Sequence, residues 1–299
     1  MSATPLTWGG RSIPAPGGLP AVAVSLTGPR LAQARSQARS AVDAGADVLE
    51  LRVDLLEEAG ALAAPDLLDA ATAAAQVLEC LRGLRAAIDA TDGVDAADGT
   101  DDDADVAAPL LLTCRTAAEG GRARLDDAAY TALLCSVLDG LADWAPECRP
   151  AAIDVEVQRG CLPQICAQAH ALDIDVVASF HDFEATPADE VLEEVLARMA
   201  REGADLAKIA VWPASADDVA RLLGMCARAT AGAGEGADLG VPVAAMSMGA
   251  LGAVSRVAPA FGSALTFAVV PDEQGQSRAS APGQLPLQDV RRCLELLRA

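Results

Sequence analysis

Asp205-Leu-Ala-Lys-Ile-Ala-Val211 is a run of strand length that opens on Asp205 and is aliphatic thereafter except for one charge, Lys208, at its centre. A charge in such a run is costly to bury unless it is paired, so its place is the mouth of a cavity that a strand opens on. Seven more runs of the same kind lie around it: Ala21 to Thr27, Asp47 to Val53, Leu110 to Arg115, Ala151 to Val157, Ile174 to Phe180, Val241 to Ser247 and Ser263 to Val270. Longer segments rich in Ala, Leu, Arg and Glu follow most of them, among them Leu31 to Ala44 and, last, Leu287 to Leu297. Short apolar runs alternating with amphipathic helices read as buried parallel strands. Eight such units in 299 residues predict a single-domain α/β fold, a (β/α)8 TIM barrel over 21–299, in preference to a doubly wound open sheet.

Two stretches fall outside that rhythm. Residues 1–20 are rich in Pro and Gly and read as a flexible N-terminal extension; they lack the basic start and apolar run of a signal peptide. Residues 89–107 carry eight aspartates between Asp89 and Asp105 with almost no large apolar side chain, which predicts an acidic loop inserted at the bottom of the barrel. Its spacing does not match an EF-hand calcium loop. No apolar stretch reaches the ~18 residues of a membrane span. The chain ends a few residues after its last helix and reads as self-contained.

The net charge is −21, which opposes binding to nucleic acid or an anionic membrane. An anionic substrate would therefore need its own local arginines. Eight scattered cysteines with no CxxC pair exclude a common zinc site and read as buried free thiols, which suits a reducing cytoplasm. Lys208 is the sole lysine; the other 21 basic side chains are arginines. Arginine does not give up its proton in a protein and is a poor amine nucleophile, whereas lysine can serve as one. A lone lysine thus suggests a task that arginine cannot perform, set against chance drift of composition.

In a barrel the reactive side chains lie at the C-terminal ends of strands. Those ends carry Ser25; Glu50, Arg52 and Asp54; Thr113, Cys114 and Arg115, leading to Glu119; Asp154 and Glu156; Ser179, Phe180 and His181; Lys208; and Met246, Ser247 and Met248, leading to Ser255 and Arg256. Residues two apart on a strand share a face, so Glu50, Arg52 and Asp54 point one way, as do Asp154 and Glu156. The plain alternative is an ion-pair network that holds the mouth together.

These segments, taken in order, resemble type I 3-dehydroquinate dehydratase over nearly the whole chain. The resemblance is carried by Glu50-Leu-Arg-Val-Asp54, Thr113 to Gly121, Ile153-Asp-Val-Glu156, Ser179-Phe-His-Asp-Phe183, Thr186-Pro187, Ala207-Lys-Ile-Ala210, Met248-Gly249 with Ser255-Arg256, and Ser280-Ala-Pro-Gly-Gln284. It implies dehydration of 3-dehydroquinate to 3-dehydroshikimate in the shikimate pathway of aromatic amino acid biosynthesis, with no metal and no cofactor. It implies Lys208 as the imine-forming amine, His181 as general base and acid, and Glu119 as its partner. It assigns substrate contacts to Glu50, Arg52, Arg115, Arg256, Ser280, Gln284 and Ser25, with Asp154 a further contact. A homodimer is compatible with it.

The chemistry fits those roles. A protonated imine next to the acidic carbon acts as an electron sink. To attack, Lys208 has to be neutral at some stage, which burial and neighbouring arginines would favour. His181 can take the proton and return it to the leaving hydroxyl. Arg256 offers a fork to the substrate carboxylate. The loop from Asp272 to Ser280 is expected to close over the site, and Trp212 is expected to crowd it. The rival readings are a class I aldolase, sharing the lysine but cleaving a carbon–carbon bond, and an inactive barrel kept as a scaffold.

Overall fold

The computed structural model describes residues 4–63, 69–89, 108–231, 239–271 and 278–298. The acidic insertion, 90–107, and residues 272–277 of the expected closing loop lie outside them. Eight parallel strands form one curled sheet in chain order: β3 (Ala21–Leu26), β4 (Val48–Arg52), β5 (Leu110–Thr113), β6 (Ala152–Glu156), β7 (Asp175–Asp182), β8 (Leu206–Val211), β9 (Val243–Ser247) and β10 (Leu265–Val269). β10 pairs with β3, and the Ala264 N–H donates to the Val243 carbonyl at 2.7 Å, so the last strand meets both the first and the seventh. Two residues, β11 (Leu285–Pro286), extend the sheet beside β10.

Helices α1 (Leu31–Asp43), α2 (Ala70–Asp89), α3 (Asp127–Leu141), α4 (Leu162–His170), α5 (Asp189–Arg201), α6 (Ala216–Thr230), the single turn α7 (Gly249–Gly252) and α8 (Leu287–Leu296) lie around the sheet. Each strand is covered on both faces, which is why the runs read as continuous apolar stretches rather than alternating ones. The helix starts are fixed locally. Ser215 and Asp218 cap α6 reciprocally, each side chain taking the other's backbone N–H, and the Asp126 carboxylate accepts from Ala129 N at 2.8 Å at the start of α3. Among the described residues no helix is long and apolar enough to cross a membrane.

The inside of the barrel is layered. Ala21, Val48, Leu111, Ala152, Val177, Leu206, Ala244 and Leu265 form an apolar lower layer. The register then sets polar residues side by side above it: Ser25 opposite Glu50, Arg52 opposite Thr113, Thr113 opposite Asp154, Glu156 opposite Ser179, and Ser179 opposite Lys208.

One expectation needs correction. Part of the supposed flexible extension is an antiparallel hairpin, β1 (Leu6–Trp8) with β2 (Arg11–Ile13), packed on the lower layer. Trp8 and Ile13 are fully buried there, and Trp8 Nε1–H donates to Asp175 at 2.7 Å. A barrel bottom made of alanines and small aliphatics leaves apolar area that a tryptophan can cover. The signal was present: Gly9-Gly10, both at positive φ, is the two-residue turn a tight hairpin demands.

Candidate active site

Lys208 emerges from β8 into the upper layer, where it is buried against charged neighbours. Its Nζ donates to Asp154 Oδ2 at 2.6 Å and lies 3.9 Å from Glu50 and 5.0 Å from the centre of the Phe267 ring. The partners nearest to it are therefore carboxylates rather than the arginines expected from sequence. Burial alone would raise the Asp154 carboxyl, but Arg115 and then Lys208 hold it well below the usual carboxylate range.

His181, on β7, meets Glu119 through Nδ1 at 2.8 Å. Glu119 sits on a short 3-10 turn after β5 that ends in Gly120. Burial pushes Glu119 up to about 8, against the pull of Arg115, and its second oxygen has no hydrogen-bond partner. Burial, then Arg115 and Lys208, push His181 well below its ordinary value. Burial therefore disfavours charge on either member of this pair, which suits a group that receives a proton and passes it on.

Arg115 occupies the centre of the upper layer. Its guanidinium donates to Asp154 at 2.7 Å, Ser179 at 2.9 Å, Glu156 at 3.1 Å and Glu119 at 3.5 Å. Those carboxylates hold its charge firmly in spite of burial. Arg52 makes a bidentate pair with Asp54, both bonds at 2.8 Å. Glu50 accepts from Ser25 and, at 2.9 Å, from Thr113. The ion-pair network weighed from sequence is therefore present, and it is built from the same residues.

Arg256 differs from these. It is 1 % exposed, donates only to the carbonyls of Phe267 and Pro282 at 3.5 and 3.2 Å, and has no carboxylate partner among the described residues. Its Nε has no acceptor, and burial lowers its pKa to about 10. A buried guanidinium without a counter-ion is expensive, and an incoming anion would relieve that cost.

Glu50, Arg52, Arg115, Glu119, His181, Lys208, Arg256, Ser280 and Gln284 line one pocket of about 480 Å³. Ser25 stands just outside the lining, where it accepts a 2.8 Å bond from Ser280, whose hydroxyl in turn accepts from Gln284 at 2.9 Å. That chain latches the Ser280–Gln284 segment to the end of β3. Trp212 does not crowd the pocket; it is 37 % exposed at the rim, its ring close to Gly249. Sequence reasoning missed Phe267 and Phe183, which line the pocket with Met246 and Ala210. The scarcity of aromatics was a usable signal: of four phenylalanines, two line this pocket.

A parallel barrel with a buried amine, a carboxylate–imidazole pair and a guanidinium that meets no carboxylate among the described residues, all around one pocket, defines a lysine-centred (β/α)8 enzyme. A model of the type I 3-dehydroquinase family matches residues 22–299, and the chain belongs to that family of hydro-lyases. It is 34 % identical over 284 residues to the 3-dehydroquinate dehydratase of Escherichia coli, covering 94 % of both chains. The 3-dehydroquinate dehydratase from Geobacillus kaustophilus superposes with a TM-score of 0.77 at 28 % identity, covering 99 % of this chain and 97 % of that one. The type I 3-dehydroquinate dehydratase from Clostridium difficile, solved with covalent modified comenic acid, gives 0.76 at 28 % identity, covering 99 % and 98 %.

Proposed function

We propose that this chain dehydrates 3-dehydroquinate to 3-dehydroshikimate through a Schiff base on Lys208, as a step of the shikimate pathway. The observation that carries the reading is the shared pocket: Lys208, the Glu119–His181 pair and Arg256 face one space of about 480 Å³. Arg256 takes the substrate carboxylate, which fills the place of a counter-ion missing among the described residues. Lys208 attacks the ketone, and water leaves as the imine forms. The protonated imine keeps a positive charge where the ammonium stood, so Asp154, ionised and 2.6 Å from Nζ, retains its partner.

His181 then removes the proton from the carbon next to the imine, and the electron pair moves into the iminium to give an enamine. Glu119 fixes the imidazole through Nδ1, leaving Nε2 as the base. The enamine expels the neighbouring hydroxyl, which leaves as water with the proton from His181. A second water hydrolyses the imine and frees Lys208. Arg115 and Arg52 contribute mainly by holding the carboxylates in place, Glu50, Ser280 and Gln284 offer hydrogen bonds to the substrate hydroxyls, and Ser25 anchors Ser280.

Borohydride trapping with 3-dehydroquinate, read by intact mass and peptide mapping, tests the reading. The expected result is an adduct on Lys208 that has lost water, and none in Lys208→Arg. Cleavage of the carbon skeleton would indicate an aldolase instead, and a folded protein that forms no adduct would leave a scaffold.

A further inference from the structure

Phe183 stands between two cavities that share the Glu119–His181 pair. The inner one is the pocket just described. The outer one is a solvent-open groove of about 960 Å³, bounded by Ala117 and Arg159 and sharing Glu119, Gly120, His181 and Phe183 with the inner one. The Phe183 ring stacks on the His181 imidazole, with centroids 6.5 Å apart and planes 21° from parallel. On its other side the ring fills the space beside Gly120, where a Cβ would come within 2.3 Å of it. Only a glycine admits the ring there, and the turn also needs the φ of +80° that Gly120 adopts. Phe183 is 37 % exposed, so one part of it meets solvent while another covers the imidazole.

We propose that Phe183 is a positioning residue that narrows the access of the outer groove to the Glu119–His181 pair, holding the imidazole in place and slowing exchange of the proton it carries with bulk water. This rests on His181 as the proton carrier of the proposed reaction. The physical need is plain: the proton taken from carbon has to stay on His181 until the hydroxyl leaves. A path to water through the groove would let it be lost between the two steps. The charged groups facing His181 are Glu119 from the turn after β5, Arg115 beyond the end of β5, Lys208 from β8, Asp154 from β6 and Arg52 from β4. Asp182 and Glu184, on its own segment, line the groove side. None of these is removed by a change at Phe183, so such a change reports on shielding.

The chain has two histidines, so in a His170→Gln background the ring signals of His181 can be followed alone by NMR. Without its cover, the imidazolium would be better solvated and the titration midpoint would rise. Phe183→Ala is expected to move the midpoint up by about one pH unit and to speed exchange of the ring N–H with water. Phe183→Leu, which keeps an apolar cover, should move it less in the same direction. The acid limb of kcat/KM should shift with the midpoint. Coincident midpoints in parent and variants would overturn the proposal, as would a fall in kcat with the midpoint unmoved. Should Phe183→Ala fail to fold, the Leu variant decides alone by the same criterion. The NMR titration needs no turnover, so this role and the proposed reaction can fail separately.

Discussion

At the scale of single residues, the upper layer pairs almost every charge and leaves Arg256 with no carboxylate partner among the described residues. In the proposed reaction such a residue would serve binding at the expense of stability. Arg256→Met should lose a charge-assisted contact of ~1.5–3 kcal/mol to the substrate carboxylate, a rise in KM of roughly 10- to 150-fold. The same change should stabilise the free protein by ~1–2 kcal/mol, because an apolar side chain replaces a desolvated cation. Steady-state kinetics and a thermal melt measure the two effects. A variant with unchanged KM would move the carboxylate elsewhere, and a lower melting temperature would mean that the bonds to the Phe267 and Pro282 carbonyls outweigh the cost of burial. The resemblance named Arg256 as a carboxylate contact; that it would stand apart from the carboxylates around it was not legible in the sequence. Alternation along a strand tells which charges share a face; which of them find partners depends on neighbouring strands. Arg115 and Arg256 look alike as sequence, yet among the described residues one touches three carboxylates and the other none.

At the scale of elements, the eight strands were legible to within about two residues, because an alanine- and valine-rich run between amphipathic segments has few other uses in a parallel fold. The hairpin of β1 and β2 was not, because Pro and Gly around it masked a three-residue alternation too short to stand out. The hairpin makes a clear demand. Trp8→Ala should cost ~3–5 kcal/mol in urea unfolding, since it opens a cavity under the apolar layer and removes the bond to Asp175. The folded fraction should keep its kcat, because Trp8 packs at the strand starts and Lys208 lies in the polar layer above them. A loss under 1 kcal/mol would show the hairpin to be a loose appendage after all.

At the scale of the whole molecule, the surface carries a large excess of negative charge, since most of the site's own charges are internally paired and the net charge is −21. Repulsion among exposed carboxylates opposes the compact state and is screened by salt; the Debye length falls from about 30 Å at 0.01 M to about 8 Å at 0.15 M. The melting temperature should therefore rise on adding sodium chloride over that range, and a fall would count against an electrostatic burden on the fold. The scarcity of lysine has another outcome. With Lys208 the only lysine, and 3 % exposed, acylating or aldehyde reagents aimed at side-chain amines find no target on the outer surface. An ordinary amine-labelling reagent becomes a probe of this one pocket, and a lysine-specific protease, acting on the unfolded chain, would cut it once, within the sixth barrel strand.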